Sequence, residues 1–221
     1  MGGINYEYIE NYIKNLLPES DGIIKDIEEY AKQNNIPIIT PDVYSLIGIL
    51  IKSKNVKDIL EIGTAIGYSA ILMAKSIGFE ANIISIEKNE ILAGIARTNI
   101  KKAGLVDNIT IIQGEAIEEL INIQKNFDMI FVDGAKGQYL DFFNKSIDKL
   151  RIGGLFICDN VLFRGMVADK NLLQRRKITI VKRLKKFLEY IMNNDILETA
   201  IVPIGDGLSI SIKLKEEITN E

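Results

Sequence analysis

From residue 57 onward, short runs rich in Ile, Val, Leu and Phe alternate with amphipathic segments, and this alternation constrains the fold more than any other feature. Strands are expected at 57–61, 82–87, 109–113, 128–133 and 154–159, with helices at 68–77, 90–103, 116–123 and 140–150 between them. Five strands separated by helices imply an α/β fold with a parallel, doubly wound sheet. A basic helix at 172–192 follows. Strand patterns at 198–202 and 208–214 then flank Gly205-Asp206-Gly207, a hairpin signal that adds an antiparallel C-terminal edge. The expected sheet is thus seven-stranded and mostly parallel. Ahead of it, residues 1–54 read as extra N-terminal helices. Tyr8, Ile9, Tyr12, Ile13, Leu16 and Leu17 recur at helical spacing up to Pro18, and a second helix covers 20–34. A third starts at Pro41 with Thr40 as its cap. No internal repeat or linker breaks the pattern, so residues 1–221 are expected to form a single domain.

Three oxygen-bearing side chains stand just past two of the strands. Asp133 follows Phe127-Asp128-Met129-Ile130-Phe131-Val132, and Asp159-Asn160 follow Gly154-Leu155-Phe156-Ile157-Cys158. Strand ends of open α/β sheets are where ligands bind, and two carboxylates with one amide suit a hard divalent cation such as Mg2+. The rival reading makes Asp159 a turn or helix-capping acid. The chain has no histidine and one cysteine, which excludes a histidine base, a histidine-based triad, a zinc cluster and an internal disulfide. Cys158, inside an apolar run, is expected as a small core residue. Proton abstraction then falls to Lys, Asp, Glu, Tyr or a metal.

A second signal is Glu61-Ile62-Gly63-Thr64-Ala65-Ile66-Gly67-Tyr68-Ser69, a glycine-bearing turn after the first strand. Gly63-x-x-x-Gly67 is not the dinucleotide fingerprint, and no phosphate-cradling lysine follows it. Glu61 would repel a pyrophosphate but attract a sulfonium or an α-amino group. The next strand ends in Glu87, whose carboxylate can accept from both hydroxyls of a ribose. Together these favour an adenosine with a cationic amino-acid tail, against a structural turn with two surface acids.

These motifs, with Ser85-Ile86-Glu87 and Asp133-Gly134-Ala135-Lys136, resemble the class I S-adenosylmethionine-dependent O-methyltransferases, a Rossmann-like family. More narrowly they resemble its cation-dependent group, which includes catechol and caffeoyl-CoA O-methyltransferases. The resemblance covers residue 40 to the C-terminus. It implies S-adenosylmethionine as cofactor, with Ser69 on the methionine carboxylate and Glu87 on the ribose. It also implies Gly114-Glu115-Ala116 beside the adenine and Ile39 against the cofactor, with Glu61, Gly63 and Asp133 in the same site. An aspartate is frequent where Glu115 stands. The lysine after the metal aspartate, here Lys136, is implied as the general base; the alternative is a solvated lysine. Tyr139, one turn on, is a candidate for the pocket lining, against half-buried packing.

The acceptor is addressed by charge. The net charge is −3, yet from Arg164 to Lys186 nine basic residues face one acid, Asp169, giving this stretch +8. Such a stripe is a footprint for phosphates, or else the solvated face of an amphipathic helix. Asn160-Val161-Leu162-Phe163-Arg164-Gly165 and Asp133–Tyr139 are most similar to the bacterial branch that methylates 5-hydroxyuridine at the tRNA wobble position. That resemblance implies the tRNA anticodon loop as substrate, with Arg164, Arg175, Arg176 and Lys177 as candidate tRNA contacts. The 5-hydroxyl and 4-carbonyl of this base are adjacent oxygens, so one metal can chelate them as it chelates a catechol. A small catechol-like or caffeoyl-CoA-like acceptor is the alternative. The resemblance also implies a homodimer, with the N-terminal helices over the active site. No run is apolar and long enough to cross a membrane and no signal-peptide pattern opens the chain, so a cytoplasmic protein is expected.

Overall fold

In the computed structural model, which describes residues 4–216, the chain forms one seven-stranded sheet flanked by helices. Three helices lead: α1 (Glu7–Leu16), α2 (Gly22–Gln33) and α3 (Pro41–Ser53). Then β1 (Asp58–Ile62), α4 (Tyr68–Ile77), β2 (Asn82–Glu87), α5 (Glu90–Lys102), β3 (Ile109–Gln113), α6 (Ala116–Asn122), β4 (Phe127–Val132), α7 (Tyr139–Ser146) and β5 (Leu150–Cys158) alternate. Helix α8 (Ile178–Met192) and the strands β6 (Leu197–Val202) and β7 (Leu208–Lys213) complete the described chain. The strand order is β3-β2-β1-β4-β5-β7-β6. The first five strands are parallel, and β7 pairs antiparallel with both β5 and β6.

Both faces of the sheet are covered, so its strands are apolar on both sides. Met129 and Phe131 of β4 join the core under α2, α3 and α4, whereas Ile130 and Val132 join the core under α7 and α8. The chain leaves β1 toward β2 and β3 on one side and later returns to β4 and β5 on the other. A ligand crevice opens at such a reversal, beyond the carboxyl ends of the strands. Register sharpens the point. Ile62 pairs with Val132 and Val132 with Cys158, so Gly63, Asp133 and Asp159 leave the sheet in one row.

Several boundaries differ from the sequence reading for identifiable reasons. Helix α8 starts at Ile178, not near 172; residues Lys170–Leu172 and Arg175–Lys177 form separate 3-10 turns. Its buried stripe begins only at Val181, and the polar stretch before it has no apolar face to dock. Helix α7 gives way to a 3-10 turn at Ile147–Lys149, and β5 begins four residues earlier than expected. The buried ammonium of Lys213 takes the carbonyls of Ile147 (3.0 Å) and Leu150 (2.8 Å) and so ties down that exit. Thr40 occupies the cap position of α3, but its side chain makes no capping hydrogen bond. Cys158 is fully buried, as expected.

Candidate active site

The β1–α4 turn is held from below and from the side. Gly63 has φ +96°, and a Cβ there would lie 2.6 Å from the Asp133 carbonyl oxygen. What excludes a side chain here is the neighbouring end of β4. Gly67, at φ +83°, starts α4 against Ala96. Between them Ala65 also has positive φ, and its N–H donates to Glu87 Oε2 at 2.9 Å. Glu87 Oε1 accepts from the Asn89 N–H at 2.8 Å. The carboxylate expected at the ribose is therefore oriented by two backbone donors before any ligand arrives.

Glu61 is fully buried and is not among the residues lining the cavity above the turn. Its carboxyl accepts from the hydroxyls of Thr64, Ser69 and Ser85. Burial pushes its pKa up, and the three hydroxyls counter part of that rise. Glu61 thus fastens β1, the turn and β2 together beneath the cavity. The carboxylate facing a cationic tail that the sequence suggested is turned instead toward these hydroxyls. Ser69 lines the cavity, although its hydroxyl already donates to Glu61.

The cavity itself measures about 400 Å³. Ile39, Gly63, Ser69, Glu87, Glu115, Ala116 and Asp133 all line it, as do Lys136, Asp159 and Asn160. Apart from Glu61, the structure therefore gathers every cofactor and metal candidate of the sequence reading at one opening. Glu115 points outward to an ion pair with Lys88 at 3.7 Å.

At the far end of this cavity Lys136 Nζ donates to Asn160 Oδ1 and stands 3.9 Å from Asp133 Oδ1. Asp159 is 3% exposed. Loss of water raises both carboxyls, Asp133 to about 6 and Asp159 to about 7. Lys136 pulls Asp133 back and the buried Glu61 pushes it up, while Asp159 is raised further by Asp133 itself. The nearby Lys136 charge accounts for the smaller rise of Asp133. Among the described residues no three His, Cys, Asp or Glu side chains gather as a metal cluster. The candidate set is two carboxylates and one amide, and the ammonium of Lys136 already supplies positive charge among them. Oxygen donors that repel one another and hold a cationic group fit a hard divalent cation.

Tyr139 differs from both expectations. It is 1% exposed, lies outside the cavity lining and donates its hydroxyl to the Asp159 carbonyl at 2.8 Å. It braces the Asp159-Asn160 loop from underneath. A tyrosine one turn past Lys136 was the only sequence signal for it.

A second cavity of about 450 Å³ shares Pro37, Ile38, Ile39, Asp159 and Asn160 with the first. Its own walls include Glu10, Asn11 and Lys14 of α1, with Arg164 and Asp206. The sequence marked Asp206 only as part of a hairpin turn and singled out none of these α1 residues, because folding is what brings them to this place. Of the candidate tRNA contacts, Arg164 lines this cavity, and Lys177 lies with its Nζ 5.7 Å from the centre of the Phe163 ring. Arg175 and Arg176 are exposed on a 3-10 turn, outside both linings. Farther along the basic stretch, Arg183 donates to the Gly137 carbonyl at 3.3 Å, next to Lys136. No helix among the described residues is long and apolar enough to cross a membrane.

Comparison with known proteins agrees with this geometry. A family model described as O-methyltransferase matches residues 18–214. A catechol O-methyltransferase of Niastella koreensis is 29% identical over 218 residues, 94% of this chain and 97% of its own. A Staphylococcus aureus structure, provisionally assigned as a caffeoyl-CoA O-methyltransferase, superposes with a TM-score of 0.88 at 36% identity and covers 94% of this chain and 100% of its own. An O-methyltransferase of Bacillus cereus, solved in complex with SAH, has a TM-score of 0.83 at 25% identity, over 93% of this chain and 97% of its own.

Proposed function

The chain belongs to the O-methyltransferase family, and from that premise we propose that it moves a methyl group from S-adenosylmethionine to the 5-hydroxyl of 5-hydroxyuridine in the tRNA anticodon loop, assisted by a divalent cation. The observation that carries the proposal is the row of Glu87, Asp133, Lys136, Asp159 and Asn160 around one cavity at the sheet's reversal. In this reading Glu87, fixed by the N–H groups of Ala65 and Asn89, accepts from the ribose hydroxyls. Ser69 meets the methionine carboxylate, Glu115 and Ala116 flank the adenine, and Ile39 closes the apolar side. Asp133, Asp159 and Asn160 would hold the cation, which lowers the pKa of the acceptor hydroxyl. Lys136 would act as the neutral amine: its ammonium proton, now directed at Asn160 Oδ1, leaves to solvent when the cation takes the place of that charge, and the freed Nζ lone pair accepts the hydroxyl proton. S-adenosylmethionine held there would supply the methyl group to the deprotonated acceptor oxygen and leave as S-adenosylhomocysteine.

The tRNA acceptor rests on the charged segment beside the second cavity. Arg164 lines it, Lys177 stands on Phe163 just past Asn160, and Arg183 touches the Lys136 loop. A second reading, a small catechol-like or caffeoyl-CoA-like acceptor, is favoured by relatives that are named catechol and caffeoyl-CoA O-methyltransferases. Assembly as a homodimer belongs to the same proposal, supported by an α1 helix that leaves Tyr8, Tyr12 and Leu16 exposed. The acceptors are separated by changing Arg164, Arg175, Arg176 and Lys177 together to Glu. Methylation of 5-hydroxyuridine-containing tRNA should drop by orders of magnitude, and tRNA affinity in the wild type should fall steeply with salt. Methylation of a catechol should survive. An unchanged ratio of the two rates, with salt-insensitive tRNA binding, would put the small-molecule acceptor first.

A further inference from the structure

The loop that carries Asn160 is bent in an unusual way. Asn160, Phe163 and Arg164 have φ of 56°, 46° and 56°, and Gly165 continues at 74°. Left-handed backbone is unfavourable for residues with a Cβ, most of all for a ring-bearing one such as Phe163. Several such residues persist together only when their surroundings over-determine them.

The surroundings are the turn between β6 and β7. Val161 N–H donates to the Gly207 carbonyl at 2.9 Å and Leu162 N–H to the Asp206 carbonyl at 3.1 Å. Arg164 N–H donates to the Asp206 carboxylate. Three of the four amides from 161 to 164 thus end on two residues of one turn. The contact is close on both sides: a Cβ on Gly207 would lie 2.4 Å from Leu162, and one on Gly205 would lie 2.7 Å from Val43 of α3. The turn is wedged between the loop and the start of that helix. From the opposite side Tyr139 holds the Asp159 carbonyl. Asp206 is the one member of the turn that meets the loop through both its backbone and its side chain.

We infer that Asp206 is a positioning residue for the cation site: by accepting the N–H groups of Leu162 and Arg164 it holds the left-handed loop that presents Asn160 Oδ1 beside Asp133 and Lys136. This rests on the cation reading of the proposed function. It also explains why the antiparallel hairpin matters to chemistry at the ends of the parallel strands. Asp206 also borders the second cavity beside Asp159 and Asn160, and its charge acts on Asp159 and Lys136; Asp206→Asn, which removes the charge and keeps the oxygen, separates that effect from the hold on the loop.

The test compares Asp206→Ala and Asp206→Asn with the wild type. Mn2+ or Mg2+ binding to the protein without acceptor is read by calorimetry, and S-adenosylmethionine binding serves as the control for folding. Asp206→Ala should weaken cation affinity about tenfold, the equivalent of one hydrogen bond to a charged group, with cofactor affinity unchanged. Asp206→Asn keeps an oxygen for the Arg164 N–H and should come back to within about threefold of the wild type. Turnover should fall in kcat at saturating cofactor, and excess cation should recover part of it. Equal cation affinity in Asp206→Ala and the wild type would overturn the inference. Hydrogen exchange in the wild type gives a check that needs no variant: the Arg164 amide should be protected, and free exchange would overturn the inference as well. If the wild type itself binds no divalent cation, the cation reading fails, a result distinct from a wild type that binds and a variant that binds equally.

Discussion

Gly63 offers the most direct measure of how tightly the cofactor turn and the metal strand are pressed together. Changing it to Ala brings two separate costs. The first is conformational, because φ of +96° suits glycine, and an L-residue with left-handed backbone costs about 1–2 kcal/mol. The second is steric. The new Cβ would lie 2.6 Å from the Asp133 carbonyl oxygen and 2.9 Å from both the Asp133 carbonyl carbon and Gly134 Cα. All three are backbone atoms of the adjacent strand end and cannot rotate aside, so an overpacking cost of about 1–3 kcal/mol is added. Gly104→Ala isolates the first cost, since Gly104 has φ +70° and nothing within 4 Å of its notional Cβ. For a chain of this length each kcal/mol moves Tm by about 2–4 °C. Gly63→Ala should therefore melt roughly 2–12 °C below Gly104→Ala, from the steric difference alone. The assay is calorimetric melting of both variants under one buffer condition, followed by a cation titration. The same displacement moves Asp133, so cation affinity should weaken in Gly63→Ala and stay intact in Gly104→Ala. Equal melting temperatures would show that β1 and β4 ends are not in close apposition, and the argument from their shared row would fail.

Two further outcomes follow from the charged groups. Lys136→Ala should lower methyl-transfer turnover by about 10²–10⁴-fold with cofactor affinity unchanged, and higher pH should recover part of the rate; near-normal turnover at neutral pH would remove Lys136 from the reaction. Glu61, Asp133 and Asp159 all hold their protons to higher pH in the folded chain than their ordinary values. At these groups the folded state binds more protons than the unfolded one, so their contribution to stability is fully present below about pH 4 and declines as pH rises through the folded values, 6–7 for the two aspartates. Melting in EDTA should fall between pH 4.5 and 8, and Mg2+ should flatten the decline by favouring the ionised aspartates; a flat profile in EDTA would contradict the assigned burial of these carboxyls.

Much of this was open to a reader of the sequence because sheet periodicity and strand-end placement are local properties. Asp133 and Asp159 could be set at strand ends from the apolar runs before them, and Val132 pairing with both Ile62 and Cys158 then made them neighbours. The partners of Glu61 were harder to see. Thr64 and Ser69 lie close by in the chain, but Ser85 is on another strand, and only the β1–β2 register brings it opposite Glu61. Asp206 read as a turn residue because its bonds to Leu162 and Arg164 span more than forty positions. The start of α8 was misplaced because basic residues at helical spacing look alike whether or not a buried stripe accompanies them.

The division of walls between the two cavities has an implication for how such a protein changes over generations. Glu10, Lys14, Arg164 and Asp206 border only the second cavity, while Gly63, Glu87, Glu115 and Lys136 border only the first. Substitutions on α1 can therefore reshape the second compartment and leave the lining of the first untouched. Pro37, Ile38, Ile39, Asp159 and Asn160 have no such freedom, since each faces both. Divergence between relatives of this chain should accordingly gather on the N-terminal helix, with the shared partition held constant.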